Sequence, residues 1–309
     1  MIKQERAAEF VAGLRSTLVS QASAQSEREK EDSSDTVAKR QSLIEESLAK
    51  MDALQFDRNM SDDEFWRRAA SKPFYAGHRA ADVQVREQHM LDHYLGNRLA
   101  LCAPEWNEGG ERYKQFLADE GCFRNEPNLK LVVNAARTIE RLKSFNPDRT
   151  ILDHIMRKVT EWESTDALRE IHAQMLATLQ FGLVTTFHLM TELGFPVVKP
   201  DRVVNRAAIR MGVIEEYTSG NTTYPVAVNI TTDKASALGQ NPEFNWALQE
   251  EFRKLSEASG MAMRTLDFVI VKLGQEPDEV NGFARTVCAE QAPLCHICAV
   301  KSDCAFAKK

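Results

Sequence analysis

Apolar residues recur at three- and four-residue intervals over most of this chain. Phe10, Val11, Leu14 and Leu18 fall on one face of a predicted helix, and Ile44, Leu48, Met51 and Leu54 on one face of a second. Between them, SQASAQSEREKEDSSD holds almost no apolar residue and predicts an exposed linker. Residues 1–36 are therefore expected to form an N-terminal helical extension and linker. From 61 to 195, segments such as EFWRRAASKPFYAGHRAADVQV and LKLVVNAARTIERLKSF predict several helices with short polar connections. The period changes once. In TSGNTTYPVAVNITT, Val226, Val228 and Ile230 alternate with Ala227 and Asn229 behind a turn-like SGN, predicting a short strand or hairpin inserted at about 215–240. Helices resume at NWALQEEFRKLSEA and AMRTLDFVIVKLG, so the expected class is mainly α with a small β-like insertion.

Composition sets the compartment. Apolar residues make up 43% and charged residues 27%, an ordinary globular balance. No apolar run approaches the roughly 18–20 residues of a membrane span, and the charged, amphipathic start lacks the uninterrupted apolar stretch of a secretory signal. A soluble, cytoplasmic protein with no membrane partner is expected, and the glycosylation triplets at Asn221 and Asn229 then carry no meaning. A net charge of −6 does not advertise nucleic-acid binding. The distribution is more informative than the total. Residues 130–158 carry seven basic side chains against three acidic ones, and 196–211 carry Lys199, Arg202, Arg206 and Arg210 against Asp201 alone. For a charge cluster by itself, a solvated helix face is the ordinary reading.

Four of the six cysteines crowd into the last stretch, CAEQAPLCHICAVKSDC. Cys288, Cys295, Cys298 and Cys304 are spaced C-x6-C-x2-C-x5-C. In a cytosolic protein, clustered thiols more often bind metal than form disulfides. Structural zinc usually takes two short knuckles set well apart. One compact loop of unevenly spaced thiols also suits a four-iron–four-sulfur cluster, whose larger frame is reached from uneven positions. Cys102 and Cys122 lie outside the pattern and read as ordinary buried thiols.

All four positions and all three gaps resemble the cluster loop of the endonuclease III and adenine mismatch glycosylase branch of the helix-hairpin-helix DNA glycosylases. Upstream, LQFGLVTTFHLMTELGFPVVKPDRVVNRAAIRMGV resembles that family's hairpin and following aspartate. Gly182 stands at the hairpin, Leu183–Leu193 reads as a helix stopped by Gly194 and Pro196, and Asp201 precedes the helical run RVVNRAAIRMG. RAADVQV, from Arg79 to Val85, resembles the segment that fills the gap left by a flipped base, and LDFVIVKLG resembles the helix leading into the cluster loop. The chain departs from the pattern at Gln180, where the family often has glycine, and at Val184, where bifunctional members carry lysine.

The resemblance implies two helical domains flanking a DNA-binding cleft: residues 61–195 with the helix-hairpin-helix, and 37–60 together with 196–309 with the cluster. It implies a 4Fe-4S cluster on Cys288, Cys295, Cys298 and Cys304, serving as a folding staple. Asp201 would be the catalytic carboxylate, stabilising positive charge on the sugar as the base departs or taking a proton from the attacking water. Alone, an aspartate before a helix is first of all an N-cap, and both roles can coexist. Gly182, Thr185, Thr186, Lys199 and Arg202 are the expected phosphate contacts, and His78 and Arg79 the candidates for filling the vacated base gap. Trp66, Phe74, Tyr75 and His188 are candidates for a pocket wall, with core packing as the commoner role for such residues. Since Val184 removes the family's amine, the expected activity is a monofunctional DNA glycosylase without lyase activity. It would act as a monomer on double-stranded DNA, without a nucleotide cofactor. The alternatives are a glycosylase acting on modified bases of foreign or phage DNA, and a non-catalytic iron–sulfur DNA-binding protein.

Overall fold

A computed structural model describes residues 2, 4–24, 34–76, 78, 80–278, 282–283 and 286–308. The architecture is mainly helical. In chain order, α1 (Ala7–Ala24) and α2 (Ser34–Ala53) lead into α3 (Asp62–Ala70), α4 (Ala80–Met90) and α5 (Glu111–Ala118). Then follow α6 (Glu126–Phe145), α7 (Ile151–Ile155), α8 (Thr165–Leu179) and α9 (Leu183–Glu192). The chain continues through α10 (Arg202–Met211), strands β1 (Glu216–Ser219) and β2 (Thr222–Pro225), α11 (Thr232–Leu238), α12 (Pro242–Ser259) and α13 (Met263–Gly274). These elements form two compact units, one of residues 1–54 with 196–309 and one of residues 55–195.

Local chemistry sets the helix ends. Ser61, Asn125, Thr150, Ser164 and Asn241 each accept a first-turn backbone N–H, removing one of the donors a helix start leaves unpaired. The core of the 55–195 unit gathers Phe65, Trp66, Phe74, Phe116, Leu129 and Phe187, all fully buried. Trp66 donates its indole N–H to Leu95 O at 2.7 Å, and Phe74 packs on Phe116 and Phe123. Both residues belong to this core and not to a pocket wall.

In the other unit, α1 packs against α2, α12 and α13. Phe10, Leu14 and Leu18 are at most 1% exposed and share a core with Phe244, Phe252, Leu266 and Ile270. Each such side chain stabilises the fold by about 1.5–3 kcal/mol relative to exposure. The expectation that residues 1–36 form an appendage is therefore corrected: α1 is core. It also closes over the cysteine loop. Thr17 Oγ1 accepts the Ala299 N–H at 2.9 Å, and a Cβ on Gly13 would come within 2.8 Å of Val300 Cγ1. Only glycine at position 13 lets the helix lie this close.

The β insertion exists, displaced from the alternating residues. β1 and β2 pair antiparallel from Glu216↔Pro225 to Ser219↔Thr222, around a two-residue loop begun by Gly220 at φ +58°. Past Pro225 the Val226 N–H still bonds Glu215 O at 2.7 Å, and the chain turns again at 228–229. Val226 thus closes the hairpin, and Val228 and Ile230 follow it as irregular chain, with Ile230 buried in the core.

Candidate cluster loop and carboxylate site

Helix α10 organises the candidate site of its unit. At its start, Asp201 Oδ1 accepts the N–H groups of Val203 (2.8 Å) and Val204 (2.9 Å). Its Oδ2 lies 2.9 Å from Lys199 Nζ. The approach to this cap is clamped from two sides. Gln249 on α12 binds both the N–H and the carbonyl of Val198, each at 2.8 Å, and Asp267 on α13 accepts the Lys199 N–H at 2.8 Å. Buried Asn205 ties Pro200 O to Ala235 O through one amide nitrogen, at 3.0 and 2.9 Å. The carboxylate therefore stands on a backbone that has little freedom to move.

Electrostatics divides the two acids. Burial pushes Asp201 upward, but the Lys199 ammonium and the two cap N–H groups outweigh it and hold the carboxyl below its usual range. Burial would lower Lys199, yet Asp201 and then Asp267 keep the amine above its ordinary value, hence protonated. Asp267 is 2% exposed. Burial pushes it up to about 6, against the pull of Arg264, whose Nη1 lies 3.0 Å away, and of Lys199. Asp267 was not anticipated as a site residue. The available signal was a lone acid inside the otherwise apolar run LDFVIV.

The far end of α10 serves the cysteines. Cys288, Cys295, Cys298 and Cys304 line one small pocket together with Arg210, Leu273, Val287 and Val300. Arg210 donates to Ala289 O (2.5 Å) and Glu290 O (2.8 Å). Arg206 donates to Thr232 Oγ1 (2.8 Å), Gly274 O (2.7 Å) and, at 3.5 Å, Cys288 O. Both guanidinium groups are buried, so these two members of the basic 196–211 stretch are neither a solvated face nor a phosphate surface. Among the described residues, Arg206 Nε and Arg210 Nε have no oxygen or nitrogen partner. Glu290 binds Thr232 N at 2.9 Å with its own carboxylate.

This arrangement fits a metal–sulfur group. Four soft donors line one pocket, and two buried cations of α10 bind carbonyls of the same loop, where they would offset the negative charge of ligated thiolates. Burial pushes the Cys288 thiol up to about 11, with Arg210 opposing, and likewise raises Cys298.

The other expected contacts lie elsewhere. Arg202, the first residue of α10, is exposed. In the 55–195 unit, α8 ends at Gln180 in the left-handed region, φ 58° and ψ 25°, and Gly182 starts α9. Gln180 thus adopts the conformation that glycine normally serves. Gly182 needs no such freedom at φ −68°, and a Cβ there would meet nothing within 4 Å. It caps α9 without a side-chain hydrogen bond. Thr185 is half-buried. Thr186 is fully buried, and its hydroxyl donates to Gly182 O at 3.1 Å, which removes it from the expected phosphate contacts. His78 is half-buried with its ring 4.4 Å from that of Phe123; Arg79 lies outside the described residues. Tyr75 donates to Glu87 Oε2 at 3.1 Å and meets the His188 ring edge-on.

No family model, curated protein or solved structure matches the chain. Among the described residues, no helix is long and apolar enough to cross a membrane.

Proposed function

We propose that the protein is a monofunctional DNA N-glycosylase carrying a 4Fe-4S cluster on Cys288, Cys295, Cys298 and Cys304. The observation that carries the reading is the double use of α10. One end presents a clamped, ionised carboxylate, and the other fastens a four-cysteine cavity through two buried arginines. The cluster's contribution is structural, cross-linking the final loop. A single zinc usually takes two short knuckles set well apart, whereas the uneven C-x6-C-x2-C-x5-C spacing within one loop suits a larger frame.

In the reaction, the N-glycosidic bond breaks with its electron pair leaving on the base, and water adds to the sugar carbon. Ionised Asp201 offsets the positive charge that builds on the sugar and accepts the proton that water loses. Lys199 is held as an ammonium beside Asp201, so it lacks the lone pair that a Schiff base requires. This supports base release without strand cleavage. For Oδ2 to face the sugar, Lys199 must give it up, and a DNA phosphate is the natural replacement partner. Exposed Arg202 supplies a further phosphate contact beside Asp201; within the other unit, the first turn of α9, which Gly182 caps without a side-chain hydrogen bond, can meet a phosphate of its own.

A second reading is favoured by one observation: both oxygens of Asp201 are already engaged, as in a purely structural cap. On that reading the protein binds DNA without cutting it. The deciding experiment is mass spectrometry of bases freed from DNA carrying oxidised, alkylated, deaminated or hypermodified phage bases, with wild type and Asp201→Asn compared. Release by the wild type alone establishes the glycosylase and its substrate together, including whether that substrate is foreign DNA. Binding without release establishes the second reading.

A further inference from the structure

A second constellation lies entirely within the 55–195 unit and plays no part in the proposed reaction. His89, near the end of α4, places Nε2 3.0 Å from Asp119 Oδ2. Cys122 Sγ joins them, and the three ligand atoms all lie within 4.8 Å of one another. Imidazole, carboxylate and thiol converge here from two chain segments far apart in sequence. We propose that His89, Asp119 and Cys122 bind a zinc ion, with a fourth coordination position open to solvent.

The geometry suits the metal. Zinc bonds of about 2.0–2.3 Å to N, O and S ligands set tetrahedral ligand–ligand separations at roughly 3.3–3.7 Å. A cluster held within 4.8 Å, with one edge at 3.0 Å, reaches that size by side-chain adjustment alone. The ligand set of one soft sulfur, one imidazole and one carboxylate is zinc-like, and three protein ligands plus one free position is the open form of such sites.

Two further features place the ligands. A Cβ on Gly121 would come within 2.6 Å of His89 Cδ2 and 2.7 Å of Nε2, so the glycine before Cys122 is what lets the imidazole reach the loop. α4 also runs on into a π-helical turn, Leu91–Leu95, closed by the Gly96 N–H on Leu91 O at 2.8 Å. In a regular helix, residues five apart point about 140° away from each other. The wider turn brings Tyr94 to the same side as His89, and its hydroxyl donates to Asp119 Oδ2 at 2.8 Å. The Gly121 N–H holds the other oxygen at 2.7 Å. Asp119 is thus oriented by the outer hydrogen bonds that metal-bound carboxylates use. π-turns of this kind occur often at functional sites. His89 is 38% and Asp119 25% exposed in its side chain, which gives the ion a path of entry.

The test uses the full chain equilibrated with zinc chloride and desalted, with zinc and iron counted by elemental mass spectrometry. Wild type is expected to retain one zinc per chain. His89→Gln, Asp119→Asn and Cys122→Ser should each lose it while iron is unchanged, and Tyr94→Phe should bind zinc about tenfold more weakly. In wild type, without recourse to any variant, zinc should protect Cys122 from alkylation as mapped by peptide mass spectrometry. Zinc retained equally by the three ligand variants would place it on other residues, such as the C-terminal thiols, and would overturn the proposal. So would alkylation of Cys122 that is indifferent to zinc.

Discussion

Lys199 Nζ lies 2.9 Å from Asp201 Oδ2, while the backbone N–H of the same lysine is held by Asp267 on α13. One residue thus joins a cap carboxylate, a buried carboxyl and the entry to α10. The consequence is an ammonium that stays charged and a carboxylate that stays ionised beside it.

Asparagine and aspartate are equally good N-caps. Asp201→Asn should therefore keep the cap, but it leaves the Lys199 ammonium without its carboxylate and should melt below wild type while abolishing base release. Asp201→Ala should lose the activity and, in addition, about 1 kcal/mol of stability. Thermal melts and base-release assays on the same three proteins separate the charge of the side chain from its capping.

The two kinds of arginine on α10 should respond differently. Arg210→Lys keeps the charge but loses the planar fork whose two nitrogens hold Ala289 O and Glu290 O, so iron and acid-labile sulfide per chain should fall. Arg202→Ala should leave both unchanged and instead weaken DNA binding, with the salt slope reduced by about 1. Metal analysis and salt-dependent binding isotherms check the pair.

Gln180 occupies a left-handed conformation that costs a non-glycine residue roughly 1–2 kcal/mol. Glycine carries a greater entropy loss on folding, about 0.5–1 kcal/mol, which offsets part of the gain. Gln180→Gly should stabilise the protein by a few tenths to about 1 kcal/mol, and Gln180→Val should destabilise it. Urea denaturation measures both.

Asp267 makes a pH-dependent contribution with a defined sign. Its folded pKa of about 6 lies above its ordinary 3.8, so between these values the native state holds more protons than the unfolded chain. Stability due to this group then falls as pH rises through the window, by up to roughly 3 kcal/mol. Asp267→Asn keeps an acceptor for the Lys199 N–H and has no charge to bury. Its stability relative to wild type should rise from pH 4 to pH 7, as read from urea melts across that range.

Much of this was legible in the linear order of residues, because the relevant signals are local. Helical periodicity, the Gly182–Leu193 segment, the stop at Gly194 and the cap at Asp201 depend on neighbours within a turn or two, and the cysteine spacing is printed in the chain. Tertiary structure decided what local rules cannot reach. Phe10, Leu14 and Leu18 show one apolar stripe whether a helix is an appendage or a core element, and only the presence of α12 and α13 beneath it settles which. Arg206 and Arg210 count as surface charge in any tally of residues 196–211, yet packing puts them under the cysteine loop. Thr186 has the hydroxyl of a phosphate donor, yet that hydroxyl is buried on Gly182 O. Asp267, His89 and Asp119 gain their chemistry from partners tens of residues away. A sequence determines which groups are available and how its helices begin and end; which of those groups lose water, and which charges they face when they do, is decided where distant segments close on one another.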